Sequence, residues 1–143
     1  MTHEMTAAAG PVLVDPPHIR LMALSGPMGD LARARQGLAC LQALGFAVDN
    51  QAAIDRRWSR FAGTDAERLA DLQGWTGTNM PAPDLLLATR GGYGAIRLLD
   101  RIDYDVLCPQ LRQHGSIVMG YSDTTAVQLA LLARGGVLSW SGP

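Results

Sequence analysis

The segment DLLLATR, residues 84 to 90, is apolar along most of its length rather than at alternate positions. Such a strand has no face to give to water. It belongs in a sheet covered on both faces, the situation of a parallel sheet flanked by helices. IRLMALS (19–25), FAVDN (46–50), SIVMG (116–120) and VLSW (137–140) read as further short strands. Between them lie segments of helical period. Leu31, Ala34, Leu38, Leu41 and Leu44 recur at helical spacing, with Asp30 as the cap and Gly45 as the stop. Thr64 or Asp65 opens a helix that runs to about Trp75, with Glu67 in its first turn. AIRLLDRI (95–102) reads as a helix, DYDVLCPQLRQHG (103–115) as a short helix or loop, and TTAVQLALLARGG (124–136) as a helix stopped by its two glycines. Alternation without an internal repeat predicts an α/β fold: a Rossmann-like parallel sheet with helices on both faces.

Length and composition narrow the function classes. The chain has 143 residues, long enough for one domain with a core of its own. Residues 1–17, rich in Pro, Ala and Thr, read as a flexible tail, and 18–143 as the folded domain. Twelve basic against thirteen acidic residues leave no cationic footprint for nucleic acid. No apolar stretch approaches the ~20 residues of a membrane span, and the start lacks the pattern of a secretory signal. Cys40 and Cys108 lack CxxC spacing and read as reduced thiols, which fits a cytoplasmic protein. Trp58, Trp75 and Trp140 are expected to pack in the core.

Ligands of a parallel sheet bind at the carboxyl ends of its strands. Two turns fall there. Gly91, Gly92 and Gly94 of GGYG follow the strand 84–90 and allow close backbone approach, either to an anion or for purely structural ends. GGYG does not fit a dinucleotide fingerprint. In MGYSDTT (119–125), Ser122 stands where a strand turns into a helix, with the amide of Asp123 next in line. That placement fits a nucleophile elbow, and it equally fits a serine that merely caps the helix. A nucleophilic hydroxyl needs a base. His3 lies in the tail, whereas His18 and His114 precede strands and so sit at the far edge of the sheet, about 16 Å away at ~3.3 Å per residue.

ALSGPMG (23–29), FAGTDAERLADL (61–72), DLLLATRGGYGAIRLLDRIDYDVL (84–107), GYSDTTAVQLAL (120–131) and the terminal SGP together resemble the LD-carboxypeptidase family of serine peptidases. That family includes muramoyl-tetrapeptide carboxypeptidases and microcin C immunity proteins. The resemblance, from Ile19 to Pro143, implies that Ser122 is the nucleophile. It further implies an oxyanion hole from the amides of Asp123 and Gly92, with Gly91 and Tyr93 beside the substrate, and no metal or organic cofactor. The implied substrate is a muropeptide tetrapeptide, cut ahead of its terminal D-alanine in peptidoglycan recycling. A peptidyl-nucleotide antibiotic, or non-catalytic binding of a muropeptide or nucleotide, is the alternative. The glutamate and histidine of the family's triad belong to a C-terminal domain outside these 143 residues. The chain by itself is therefore expected to be nearly inactive, to expose an apolar surface where that domain packs, and to be open to homodimerisation.

Overall fold

A computed structural model describes residues 15–142. The expected tail up to residue 14, His3 within it, and Pro143 lie outside the described residues. Five strands, β1 (His18–Met22), β2 (Ala47–Asp49), β3 (Leu85–Ala88), β4 (Ile117–Gly120) and β5 (Ser139–Ser141), form one sheet in the order β2-β1-β3-β4-β5. Every pairing is parallel, with Leu21 opposite Leu87, Leu87 opposite Met119 and Met119 opposite Trp140. The expected α/β parallel sheet is therefore present. The chain runs outward from β1 to β2, returns to β3, and continues to β5, so the strand order reverses between β1 and β3. That reversal opens a crevice at their carboxyl ends.

Helices α1 (Leu31–Ala43), α2 (Asp65–Gln73), α3 (Tyr104–His114) and α4 (Thr125–Gly135) connect the strands. Asp30 caps α1 by accepting from the amide of Arg33 at 3.0 Å. Thr64 and Glu67 form a reciprocal capping box at the start of α2, accounting for two of the amides that a helix start leaves unbonded. α2 stops at Gln73, two residues short of the expected Trp75. Residues 95–101 form a 3₁₀ helix rather than an α-helix, and 104–114 are fully α-helical despite Pro109 inside them. Gly136 closes α4 in a left-handed conformation, φ 63°.

The two faces of the sheet are unequal. Met22, Leu86 and Val118 point to the face covered by α2, α3, α4 and the 3₁₀ helix; with Leu72, Leu98, Leu107, Leu111, Val127 and Leu131 they form the main core. Each such side chain contributes roughly 1.5–3 kcal/mol by leaving water. The other face carries Ile19, Leu21, Leu85, Leu87, Ile117 and Met119, and α1 covers only its β1 side. α1 itself buries no residue completely. The expectation that β3 is covered on both faces is corrected accordingly: Leu86 is fully buried, but Leu85 and Leu87 are half-buried. Two of the three tryptophans are also corrected. Trp75 is in the core, edge-on to His114. Trp58 is 50% exposed on an isolated bridge to Phe61, and Trp140 is 62% exposed on the uncovered sheet face. Leu129, Leu132 and Leu138 add exposed apolar surface.

Candidate active site

Three loops meet at the carboxyl end of the sheet: Ser25–Gly26 after β1, Gly91–Gly94 after β3, and Tyr121–Asp123 after β4. Gly26 donates from its amide to the carbonyl of Gly91 at 3.2 Å, tying the first loop to the second. A Cβ on Gly92, whose φ is +112°, would stand 3.3 Å from the Gly26 nitrogen. A Cβ on Gly91 would stand 2.9 Å from Ser122 Cβ and 3.1 Å from Ser122 Oγ. The absence of side chains at these two glycines is what lets the three loops close on one another.

Ser122 is exposed and takes φ 58°, a left-handed conformation that costs a non-glycine residue roughly 1–2 kcal/mol. Asn50 and Ser59 share that sign of φ, so backbone strain alone does not single out Ser122. What distinguishes it is its position directly after β4, against Gly91. The sequence left open whether Ser122 caps the following helix. It does not: the cap positions of the short 3₁₀ turn Ser122–Thr124 and of α4 are Tyr121 and Thr124, and neither makes a side-chain cap bond. The hydroxyl of Ser122 is thus not committed to a helix end, and the point where Gly91 lacks a Cβ lies 3.1 Å from Ser122 Oγ and 3.7 Å from Asp123 N. A hydroxyl and a backbone N–H side by side against a glycine turn are among the parts that acyl-transfer chemistry requires.

The carboxylate of Asp123 joins all three loops. One oxygen accepts from Ser25 Oγ at 2.6 Å and from the amide of Ala95 at 2.9 Å. Behind the glycine turn, the fully buried Arg68 donates to the carbonyls of Leu24 and Gly94 and pairs with Asp65 at 2.6 Å. Its guanidinium also stacks on Phe61, 4.7 Å from the ring centre. Gly94 has to be a glycine here: a Cβ would stand 2.7 Å from Phe61 and 2.8 Å from Arg68 Nη1. Hydrogen bonding from Arg97 holds the Asp65 carboxyl below the usual carboxylate range. The buried carboxylate of Asp71 accepts from the Ala23 amide, Asn50 and Arg56, fixing the end of β1. None of Ser25, Arg68 or Asp71 was singled out from sequence.

Of the residues that were, Ser122, Asp123 and Gly91 converge, Gly92 lies on the same turn, and Tyr93 projects outward, 81% exposed. His18 begins β1, with its imidazole 3.3 Å from Asp49, and His114 ends α3 before β4. Both therefore lie at the amino edge, as expected, away from Ser122. Among the described residues no group of His, Cys, Asp and Glu is arranged to hold a metal, and no helix is long and apolar enough to cross a membrane.

The chain resembles known proteins along most of its described length. A relative from Streptomyces coelicolor that carries a carboxypeptidase name is 36% identical over 132 residues, covering 87% of this chain and 39% of its own length. The probable murein peptide carboxypeptidase of Bacillus subtilis is 33% identical over 109 residues, 74% of this chain and 31% of its own. Among solved structures, the muramoyltetrapeptide carboxypeptidase from Oxalobacter formigenes superposes with a TM-score of 0.71 at 32% identity, covering 88% of this chain and 40% of that one. The microcin self-immunity protein MccF superposes at 0.76 and 27% identity, covering 92% and 38%. MccF has also been solved as an active-site mutant in which a serine, an asparagine and a lysine are replaced by alanine. This chain thus spans between 31% and 40% of the length of these relatives. Residues 19–142 match the model of the LD-carboxypeptidase N-terminal domain, and the chain belongs to the LD-carboxypeptidase family.

Proposed function

We propose that this domain carries the nucleophile of a serine-type LD-carboxypeptidase that releases the terminal D-alanine of muropeptide tetrapeptides in the cytoplasm, as part of peptidoglycan recycling. The observation that carries this reading is the close approach of Ser122 Oγ and the Asp123 amide to the side-chain-free Gly91. Ser122 Oγ forms a bond to the carbonyl carbon ahead of the D-residue. The amides of Asp123 and Gly92 hold the resulting oxyanion, each worth roughly 10²–10³ in rate. The serine proton passes to a base and then to the departing D-alanine amine, and water hydrolyses the acyl-enzyme.

Both described histidines occupy the wrong edge of the sheet, so the base comes from outside the described residues. The family's second domain, joined to this one or contributed by another chain, is the proposed source. The exposed Trp140, Leu138 and Ile117, which border one surface hollow, are apolar surface available for its packing, or for a second copy of this chain. Without the base, only about 10³–10⁴-fold acceleration over water is expected. A peptidyl-nucleotide is the second reading of the substrate, favoured by the likeness to MccF.

The deciding experiment measures D-alanine release from an L,D-tetrapeptide by this chain alone and mixed with the C-terminal part of a full-length relative. Release only in the mixture, abolished by Ser122→Ala, is expected. Association of the two parts without release would overturn the catalytic reading and leave a binding module. An aminoacyl-nucleotide as a parallel substrate separates the two readings.

A further inference from the structure

Two adjoining cavities lie in the crevice between β1 and β3. One is an apolar slot of about 280 Å³ beneath α1, with Leu21, Leu38, Leu41, Ile54 and Leu87 among its walls. The other is a wider mouth of about 520 Å³, bordered by Gly29, Asp30, Arg33 and Arg90. Met28, Ala34, Thr89 and Tyr121 line both, so slot and mouth adjoin. The mouth stands at the point where the strand order reverses, the place at which open parallel sheets take their ligands. It is also next to Ser122 along both chain segments: Tyr121 immediately precedes the serine, and Arg90 immediately precedes Gly91, which packs against it.

The charge of the mouth is uneven. Arg20, Arg35, Arg56, Arg68, Arg97 and Arg101 all pair with carboxylates. Among the described residues, Arg33, Arg57, Arg60, Arg90, Arg112 and Arg134 do not, and of these Arg33 and Arg90 border the mouth. Arg90 Nη1 donates to the carbonyl of Pro27 at 2.6 Å and lies over Gly29, where a Cβ would stand 3.6 Å away. That single bond orients the planar fork and leaves its other N–H groups for a ligand. The one carboxylate at the mouth, Asp30, is committed through Oδ1 to capping α1. The start of α1 adds its own positive end of the helix dipole.

We infer that the mouth is an anion subsite, in which Arg90 and Arg33 hold the free carboxylate of the residue that the proposed reaction releases. This rests on the carboxypeptidase reading and deepens it. A peptidase that cuts only the last residue must recognise a terminal carboxylate, and a planar guanidinium held in place is suited to do so bidentately. The apolar slot behind the mouth admits a small apolar side chain and no second charge.

The test titrates the full 143-residue chain with an L,D-tetrapeptide and with the same peptide amidated at its terminal D-alanine, following the amide signals of Gly92 and Tyr121 by NMR. The acid is expected to bind about tenfold or more tightly than the amide, as loss of charge-assisted hydrogen bonds implies. That preference collapses in Arg90→Gln and Arg33→Gln and persists in Arg35→Gln, on the same helix but paired with Asp55. Arg33 is exposed, so its variant reports even where Arg90→Gln disturbs the loop, and Arg90→Lys keeps the charge while removing the fork. Equal binding of acid and amide, with shifts at Gly92, would overturn the subsite and leave the peptidase reading standing. Binding of neither would overturn the subsite, and the peptidase reading is then decided by release in the two-part mixture.

Discussion

Replacing Gly91 with alanine probes the central contact of the site. The backbone of Gly91 is not among the glycines with positive φ, so alanine suffers no conformational penalty there. The cost is purely steric. The new Cβ would lie 2.9 Å from Ser122 Cβ, about half an ångström inside ordinary van der Waals contact. Neither side yields easily, because Ser122 is held at φ 58° between β4 and α4, and the Gly91 carbonyl is bonded to Gly26. Overpacking of this kind costs about 1–3 kcal/mol, a fall of several degrees in Tm for a domain of this size. The effect on rate should be larger in proportion. A 1 Å misplacement of a reacting group costs about a hundredfold, so a half-ångström displacement of Ser122 predicts roughly tenfold. The assay is D-alanine release by the reconstituted two-domain enzyme, with Tm measured in parallel. Gly37→Ala is the control for stability alone: it lies within α1 with nothing within 4 Å, and should gain roughly 0.5–1 kcal/mol. A Gly91→Ala enzyme that loses stability but keeps its full rate would refute the claim that this turn positions Ser122.

Asp123→Ala removes the acceptor shared by Ser25 and Ala95 and is expected to cost about 2–3 kcal/mol in denaturant unfolding. Asp123→Asn, which retains an acceptor oxygen, should cost less; equal losses would count against the bridge. Arg68→Met leaves Asp65 short of a partner and the carbonyls of Leu24 and Gly94 unpaired in the core, a loss of about 3–5 kcal/mol, and near-neutral unfolding energetics would contradict the clamp. Stability should also depend on Asp65 in acid. Its folded pKa is held down chiefly by the Arg97 hydrogen bond, so its contribution is complete above the unfolded value near 4 and disappears as pH falls through the lower folded value. Comparing unfolding midpoints of the parent chain and Asp65→Asn from pH 6 to pH 3 should show the two curves converging towards acid, and a constant gap would exclude this linkage.

What the sequence revealed and what it hid divide along a physical line. Strand order aside, the framework is announced locally: DLLLATR and SIVMG form strands whose Leu86 and Val118 are buried, and Asp30 and Thr64 cap helices through neighbours only three residues away. The site loops are announced in the same way, since GGYG and GYSD declare backbone demands at their own positions. The supports of the site are non-local. Arg68 bonds to a carbonyl 44 residues earlier and another 26 residues later, and Asp123 reaches a hydroxyl 98 residues away. On a helix of charged composition such as DAERLADLQ, Arg68 and Asp71 read as solvent-facing, because burial of a charge depends on partners that only the fold assembles. The same reasoning accounts for residues 95–101. Their period is helical, yet Asp123 takes the first amide, Ala95 N, and Arg97 N bonds back to Gly94, three residues earlier. Asp123 thus satisfies a helix-start amide that no local residue reaches. The exposure of Trp140 has a comparable origin: it follows a strand pattern correctly and lies on the sheet face that α1 does not reach. Departures from local expectation thus gather around the serine loop and the uncovered apolar face, the two places where this domain is proposed to meet its substrate and its second domain.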